Sequence, residues 1–251
     1  MGPFGPNDWD TKTCIGFPAV STPGKEWIIR LDLKTKEKTK EKIKETVLVF
    51  LRAPEKGQVK TRLARKIGEI KALNLYKKFV QRTLVAVETS GLDHRICFFP
   101  AGKRVLVENF LGMNHIFLPQ KGHDLGGRMG NALSSAFDQG AEKAILVGTD
   151  VPGIGAHHLL EALNILNVKD VVIGPSLDGG YWLIGFQRER FCPDLFCQVD
   201  WGSDTVFSTT IERCRAAGLS PGILPALQDI DTLEDFQCFQ ENNPWFDVNS
   251  G

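Results

Sequence analysis

Thr46 to Leu51 is a nearly unbroken apolar run rich in β-branched residues, and Arg52-Ala53-Pro54 stops it. Such a run predicts a central strand buried on both faces. A loop with Pro54 and Gly57 follows, and a long helical pattern begins near Lys60. From Ile70 to Val87, Leu73, Leu75, Tyr76, Phe79, Val80, Leu84 and Val87 recur at the spacing of one helix face. Further strands are predicted over Arg95–Phe99, Ile116–Leu118, Ala144–Val147, Val171–Ile173 and Tyr181–Phe186, with a last short one near Ile223. Helices are predicted over Val105–Leu111, Arg128–Gln139, Leu159–Leu166 and Asp204–Ala217. In the second of these, Met129 and Phe137 belong to the core stripe. A final helix runs from Thr232 to about Glu241, with Asp231 or Thr232 as N-cap and Glu234 and Asp235 in its first turn. Repeated βα units imply a doubly wound, mostly parallel sheet whose ligands bind beyond the carboxyl ends of its strands.

Residues 1–45 lack this alternation. Pro and Gly are frequent up to Gly24, and Lys34 to Glu45 is a lysine and glutamate run of the kind that forms a solvated linker. The expected organisation is therefore a peripheral extension over 1–45 and one folded domain over 46–251. Lys+Arg and Asp+Glu both number 30, so the net charge is zero, which argues against a dedicated nucleic-acid binder. No apolar run approaches the roughly 20 residues that cross a bilayer. The N-terminus shows no signal-peptide core. Six scattered cysteines without a Cys-x-x-Cys pair point to reduced thiols and a cytoplasmic location rather than a zinc site or disulfide framework.

Candidate chemistry clusters at the predicted strand ends. After the first strand come Arg52, Lys60 and Arg62, cations in a loop leading to a helix N-terminus, a setting that suits phosphate. Gly148-Thr149-Asp150-Val151-Pro152 follows a buried strand, and Pro152-Gly153 delays the next helix. Asp150 is thus too far upstream to cap that helix, and a magnesium or manganese ligand is the better reading. Gly174 to Tyr181 carries Asp178 among three glycines and a serine, which allows either a hairpin turn or close approach of a bulky ligand. In Asp229-Ile230-Asp231-Thr232 the two carboxylates point the same way along an extended segment, and one of them can reach a cation held by Asp150. Gly122 to Arg128 reads as a second anion or acceptor site or as a glycine-rich helix start. Trp201-Gly202-Ser203 reads as a capped helix start, and His157 and His158 read as surface residues.

Together, Phe50 to Leu63, Gly148 to Pro152, Gly174 to Tyr181 and Asp229 to Thr232 resemble the bacterial branch of the nucleotide-diphospho-sugar transferases, some of which are called arsenosugar-biosynthesis glycosyltransferases. Val59 to Leu63 is also similar to the phospholactate guanylyltransferases. The likeness covers residues 46 to about 242. It implies a Rossmann-like three-layer α/β/α domain of glycosyltransferase-A type that binds a nucleotide or nucleotide-sugar, a small-molecule acceptor and Mg²⁺ or Mn²⁺. By position it makes Asp150 a catalytic metal ligand, with Asp231 and Asp229 as further metal contacts. Arg52, Lys60 and Arg62, with Gly57 in their loop, would hold phosphates. Asp178 would lie beside the sugar or acceptor, and Asp178 or Asp124 would orient or deprotonate an acceptor hydroxyl. The chain departs from the pattern in having one Asp in Thr149-Asp150-Val151, one glycine in the first loop, and Gly127 where an acidic residue is usual. The expected activity is metal-assisted glycosyl transfer, with nucleotidyl transfer and non-catalytic nucleotide binding as alternatives.

Overall fold

The computed structural model describes residues 45–243, so the expected extension over 1–45 and the last residues of the domain lie outside it, save Glu45 itself. Seven strands form one sheet in the order β3-β2-β1-β4-β6-β5-β7. They are β1 (Glu45–Arg52), β2 (Asp93–Phe99), β3 (Phe117–Pro119), β4 (Lys143–Gly148), β5 (Val171–Pro175), β6 (Tyr181–Gln187) and β7 (Pro221–Ile223). All pairings are parallel except those of β6, which runs against both β4 and β5.

The predicted central strand is real, and its alternation explains the layers. Val47, Val49 and Leu51 face one core, while Leu48 and Phe50 face the other. The first core is closed by α2 (Glu69–Ser90), α3 (Arg104–Leu111) and α5 (Ala156–Ile165). The second is closed by α4 (Leu125–Asp138) and α6 (Val206–Ala216). This is the expected three-layer α/β/α arrangement. A third, smaller cluster joins Leu63 of α1 (Thr61–Ile67) and Leu75 and Phe79 of α2 to Ile230 and to Phe236 and Phe239 of α7 (Leu233–Asn242). Each buried phenylalanine there stabilises the docking of α7 by about 1.5–3 kcal/mol. No helix among the described residues is long and apolar enough to cross a membrane.

Several expectations need correction. The long helix near Lys60 is two helices, because Gly68 (φ 87, ψ 150) breaks the chain between α1 and α2. α4 starts at Leu125 rather than Arg128, because Asp124 caps it: its Oδ1 accepts from Gly127 N at 2.7 Å. α5 likewise starts three residues early, at Ala156. His157 is exposed, but His158 is buried beside Trp182, and its Nδ1 accepts from Gly155 N at 3.0 Å. The stretch from Trp201 to Ser203 does not supply a side-chain cap for α6, whose N-cap residue is Thr205. Cys97, Cys192, Cys197, Cys214 and Cys238 are free thiols.

Candidate active site

The C-terminal ends of β1, β2 and β4 face one cleft of about 540 Å³, which also receives the start of β6 and the loop before α6. An adjoining hollow of about 440 Å³ shares Arg52, Arg62, Asp150 and Asp231 with it and reaches Lys60 and Tyr76. The backbone holds these groups in place from below. Tyr76 Oη accepts from Arg52 N at 2.9 Å and donates to Arg52 O at 2.8 Å, which fixes the end of β1. Ile230, fully buried, donates its N–H to Asp150 O at 3.1 Å. That single bond ties the end of β4 to the segment before α7, and it brings Asp150 and Asp231 together although 81 positions separate them in the chain.

Between them stands Lys60. Its Nζ lies 2.6 Å from Asp150 Oδ1 and 2.8 Å from Asp231 Oδ1, and only 3% of its side chain is exposed. Burial by itself would push the ammonium down, but Asp150 and Asp231 outweigh it and hold Lys60 above the ordinary lysine range. Thr232 rather than Asp231 is the N-cap of α7, in a reciprocal box with Asp235, which leaves the Asp231 carboxylate to face Lys60.

Asp229 lines the cleft one alternation away from Asp231. Burial, with Asp178 beside it, pushes its carboxyl up to about 6. The folded state therefore holds the proton more tightly than the unfolded chain, and this group's ionisation costs stability as pH rises from about 4 to 6. Asp229→Asn should raise the melting temperature at pH 8 by a few degrees, about 1 kcal/mol after allowing for partial exposure, and leave it unchanged at pH 4. Equal shifts at both pH values would contradict this.

The loop from Ser176 to Gly180 is both a hairpin turn and a wall of the cleft. Asp178 Oδ1 accepts from Ser176 Oγ at 2.7 Å and from Gly180 N at 2.9 Å. One close approach in this loop is made by the chain itself. Gly179 has φ +91, and a Cβ placed on it would lie 2.0 Å from Asp204 O. Gly179 O in turn accepts from Phe207 N at 2.9 Å, so this glycine seats the loop that precedes α6. Gly179→Ala should cost at least about 2 kcal/mol, from the left-handed backbone and the collision together. Thermal melting checks this, and an unchanged melting temperature would refute it.

The opposite wall is basic. Arg128 Cζ lies 4.4 Å from the Phe99 ring centroid, and Arg52 Cζ lies 5.9 Å from the same centroid. Among the described residues neither they nor Arg62 form an ion pair with a carboxylate. Burial and the neighbouring Arg52 hold Arg128 below the usual guanidinium range, though Asp124 opposes that shift.

Family membership follows from similarity to known proteins. The family described as "Uncharacterized protein conserved in bacteria (DUF2064)" matches residues 83–203. A protein of Desulfovibrio desulfuricans G20, provisionally named a nucleotide-diphospho-sugar transferase, is 40% identical. Its crystal structure superposes with a TM-score of 0.77 over 79% of this chain and 87% of that one. The chain belongs to the DUF2064 family. Two more distant structures share its fold. A nucleotidyl transferase from Methanothermobacter is 16% identical, with a TM-score of 0.56 over 79% and 97% of the two chains. Rv0371C of Mycobacterium tuberculosis H37Rv, solved as a manganese complex, is 15% identical, with a TM-score of 0.51 over 79% and 98%. No curated protein matches.

In this DUF2064 protein, then, Arg52, Lys60, Arg62, Asp150, Asp178, Asp229 and Asp231 gather at one rim of the sheet. Asp124 does not line the cleft but caps α4, and Gly57 (φ 74) forms a turn against Glu69 outside both hollows. Among the described residues no three His, Cys, Asp or Glu side chains are grouped as a metal cage. What fits a cation is a pair. The two Oδ1 atoms of Asp150 and Asp231 already converge on one positively charged nitrogen. A pair of carboxylates completed by phosphate oxygens is how Mg²⁺ is commonly held. Sequence reasoning did not place Phe99 or Trp201 in the cleft, and it included Arg128 and Tyr181 only as the ends of stretches read as an anion or ligand loop. The signal for Arg128 was present in Gly126-Gly127-Arg128, because a helix that starts at Leu125 carries Arg128 on its first turn.

Proposed function

We propose that this DUF2064 protein is a transferase that moves a glycosyl group from a nucleotide-diphospho-sugar to a small-molecule acceptor. The observation that carries this reading is the convergence of Asp150 and Asp231 on a single cation position beside three guanidiniums that form no ion pair among the described residues. The name of the Desulfovibrio relative points the same way.

Asp150 and Asp231 would hold a divalent ion, which would supply Lewis-acid stabilisation of the departing diphosphate. Rv0371C, which shares the fold, was solved with manganese. Arg52, Arg62 and Arg128 bind and orient the phosphates and offset charge that grows on them as the glycosidic bond breaks. The apolar surfaces of Phe99, Tyr181 and Trp201 exclude water from that field, which strengthens it. Asp178, held by Ser176 Oγ and Gly180 N, faces the cleft where it can accept a hydrogen bond from an acceptor hydroxyl.

The test is to incubate the protein with Mg²⁺ or Mn²⁺ and a panel of sugar nucleotides or nucleoside triphosphates, with acceptor extracts. Release of a nucleoside diphosphate from a sugar nucleotide supports glycosyl transfer. Pyrophosphate released from a triphosphate replaces it with nucleotidyl transfer. Nucleotide binding without any turnover replaces both with a binding protein.

A further inference from the structure

The ion pair between Lys60 and the two carboxylates has a consequence for the order in which ligands enter. A divalent ion held by Asp150 and Asp231 would sit about 2.0–2.1 Å from their oxygens. The Lys60 ammonium already occupies that convergence point, at 2.6 and 2.8 Å from the two Oδ1 atoms. Two cations cannot share it, because repulsion between a single and a double charge a few ångströms apart is strong in a partly dry site. We infer that the Lys60 ammonium is the resident cation of the site, and that a divalent ion enters only when nucleotide phosphates draw that ammonium away from Asp150 and Asp231. This rests on the nucleotide and metal reading above.

The local structure suits such an exchange. Lys60 takes a left-handed backbone (φ 47, ψ 46) at the N-cap of α1, where its side chain makes no cap hydrogen bond. Its head is on a four-carbon stem, and a lysine's ammonium makes point-charge contacts that can be traded between anions without fixed geometry. Below it lies the Phe79 ring, 5.9 Å from Nζ, which accepts no full hydrogen bond. Once displaced, the ammonium must therefore find another anion, and Lys60 itself lines the hollow it shares with Arg52 and Arg62. Phosphate oxygens entering there would receive the ammonium and complete the coordination of the incoming ion in one step. The competing arrangement keeps Lys60 in place and seats the metal on the outer Oδ2 atoms.

Mn²⁺ binding separates these arrangements. Titrate the full chain, and its Lys60→Met and Lys60→Gln variants, with Mn²⁺ alone, following loss of the free-ion signal by electron paramagnetic resonance. In parallel, follow wild-type melting with Mn²⁺, with a mixture of the four ribonucleoside triphosphates, and with both. The expected result is weak Mn²⁺ binding by the wild type alone and binding about tenfold or more tighter in each variant. Asp150→Asn placed on Lys60→Met should abolish the gain. In the wild type, Mn²⁺ and nucleotides together should raise the melting temperature by more than the sum of each alone. Wild-type protein that binds Mn²⁺ as tightly as the variants, or additive melting shifts, overturns the exclusion and leaves the metal reading standing. No response to Mn²⁺ in any protein, with or without nucleotides, overturns both. If both variants fail to fold, the wild-type arms decide the matter by themselves.

Discussion

Asp150→Asn is expected to lower turnover by about 10³-fold or more while leaving the melting temperature within a few degrees of wild type. Asparagine keeps the shape of the side chain and removes the charge. The backbone bond from Ile230 N to Asp150 O does not depend on that side chain, so the end of β4 stays tied to the segment before α7. Lys60 keeps Asp231 as its partner, so the buried ammonium is not stranded. What is lost is half of the anionic pair that positions a divalent ion against the leaving diphosphate. The check is the rate of nucleoside diphosphate release, or of pyrophosphate release, on whichever donor the protein consumes. A loss smaller than about tenfold would remove Asp150 from the metal-holding role.

The second large effect is on stability and appears only when both carboxylates go. Lys60 is 3% exposed at its side chain, and its ion-pair partners among the described residues are Asp150 and Asp231. Each single neutralisation leaves it one anion. Asp150→Asn with Asp231→Asn leaves a buried charge with none, a situation that typically costs about 3–5 kcal/mol. For a domain of this size that is a fall of roughly 6–20 °C in melting temperature. The loss in the double variant should therefore exceed the sum of the two single losses, and adding Lys60→Met should recover most of it. Simple additivity would mean that the ammonium finds water or another partner, and the account of this ion pair would have to be abandoned.

Much of the fold was legible because its signals are local. β1 announces itself through an apolar run that feeds two cores, and the alternation of strands and helices gives the three layers directly. Asp150 was legible because it follows a buried strand too far upstream to cap the next helix, and Asp231 because it alternates with Asp229 along an extended segment, although Asp231 or Thr232 could also cap the last helix. What could not be read is what depends on distant backbone. The break at Gly68 divides a helix whose apolar spacing runs on through it. The tie between Ile230 and Asp150 joins segments with nothing in common but their meeting place. The pairing of Lys60 with both carboxylates adds partners that its position after β1 does not suggest, since a loop lysine among other cations reads as a phosphate ligand. Asp124 had two uses in prospect, and the cap on α4 is the one realised. The packing of Gly179 against Asp204 O is likewise a contact with distant backbone that the local pattern does not show.

The reversed direction of β6 has one more consequence. In a sheet whose strands all run alike, every residue at the ligand rim sits at the finish of a strand or just past it. Here Tyr181 and Trp182 sit at the outset of theirs, reached through a turn of only a few residues from β5. The rim is thus assembled from two half-sheets with separate wiring: β3 to β4 bring Arg52, Phe99 and Asp150, while β6 to β7 bring Asp178 and the shelf of Tyr181 and Trp182. Sequence drift in the short turn can reshape the shelf without disturbing the spacing of Arg52 and Asp150. Relatives that diverge in what they accept should accordingly differ between Ser176 and Asp204, while retaining Arg52, Lys60, Asp150 and Asp231.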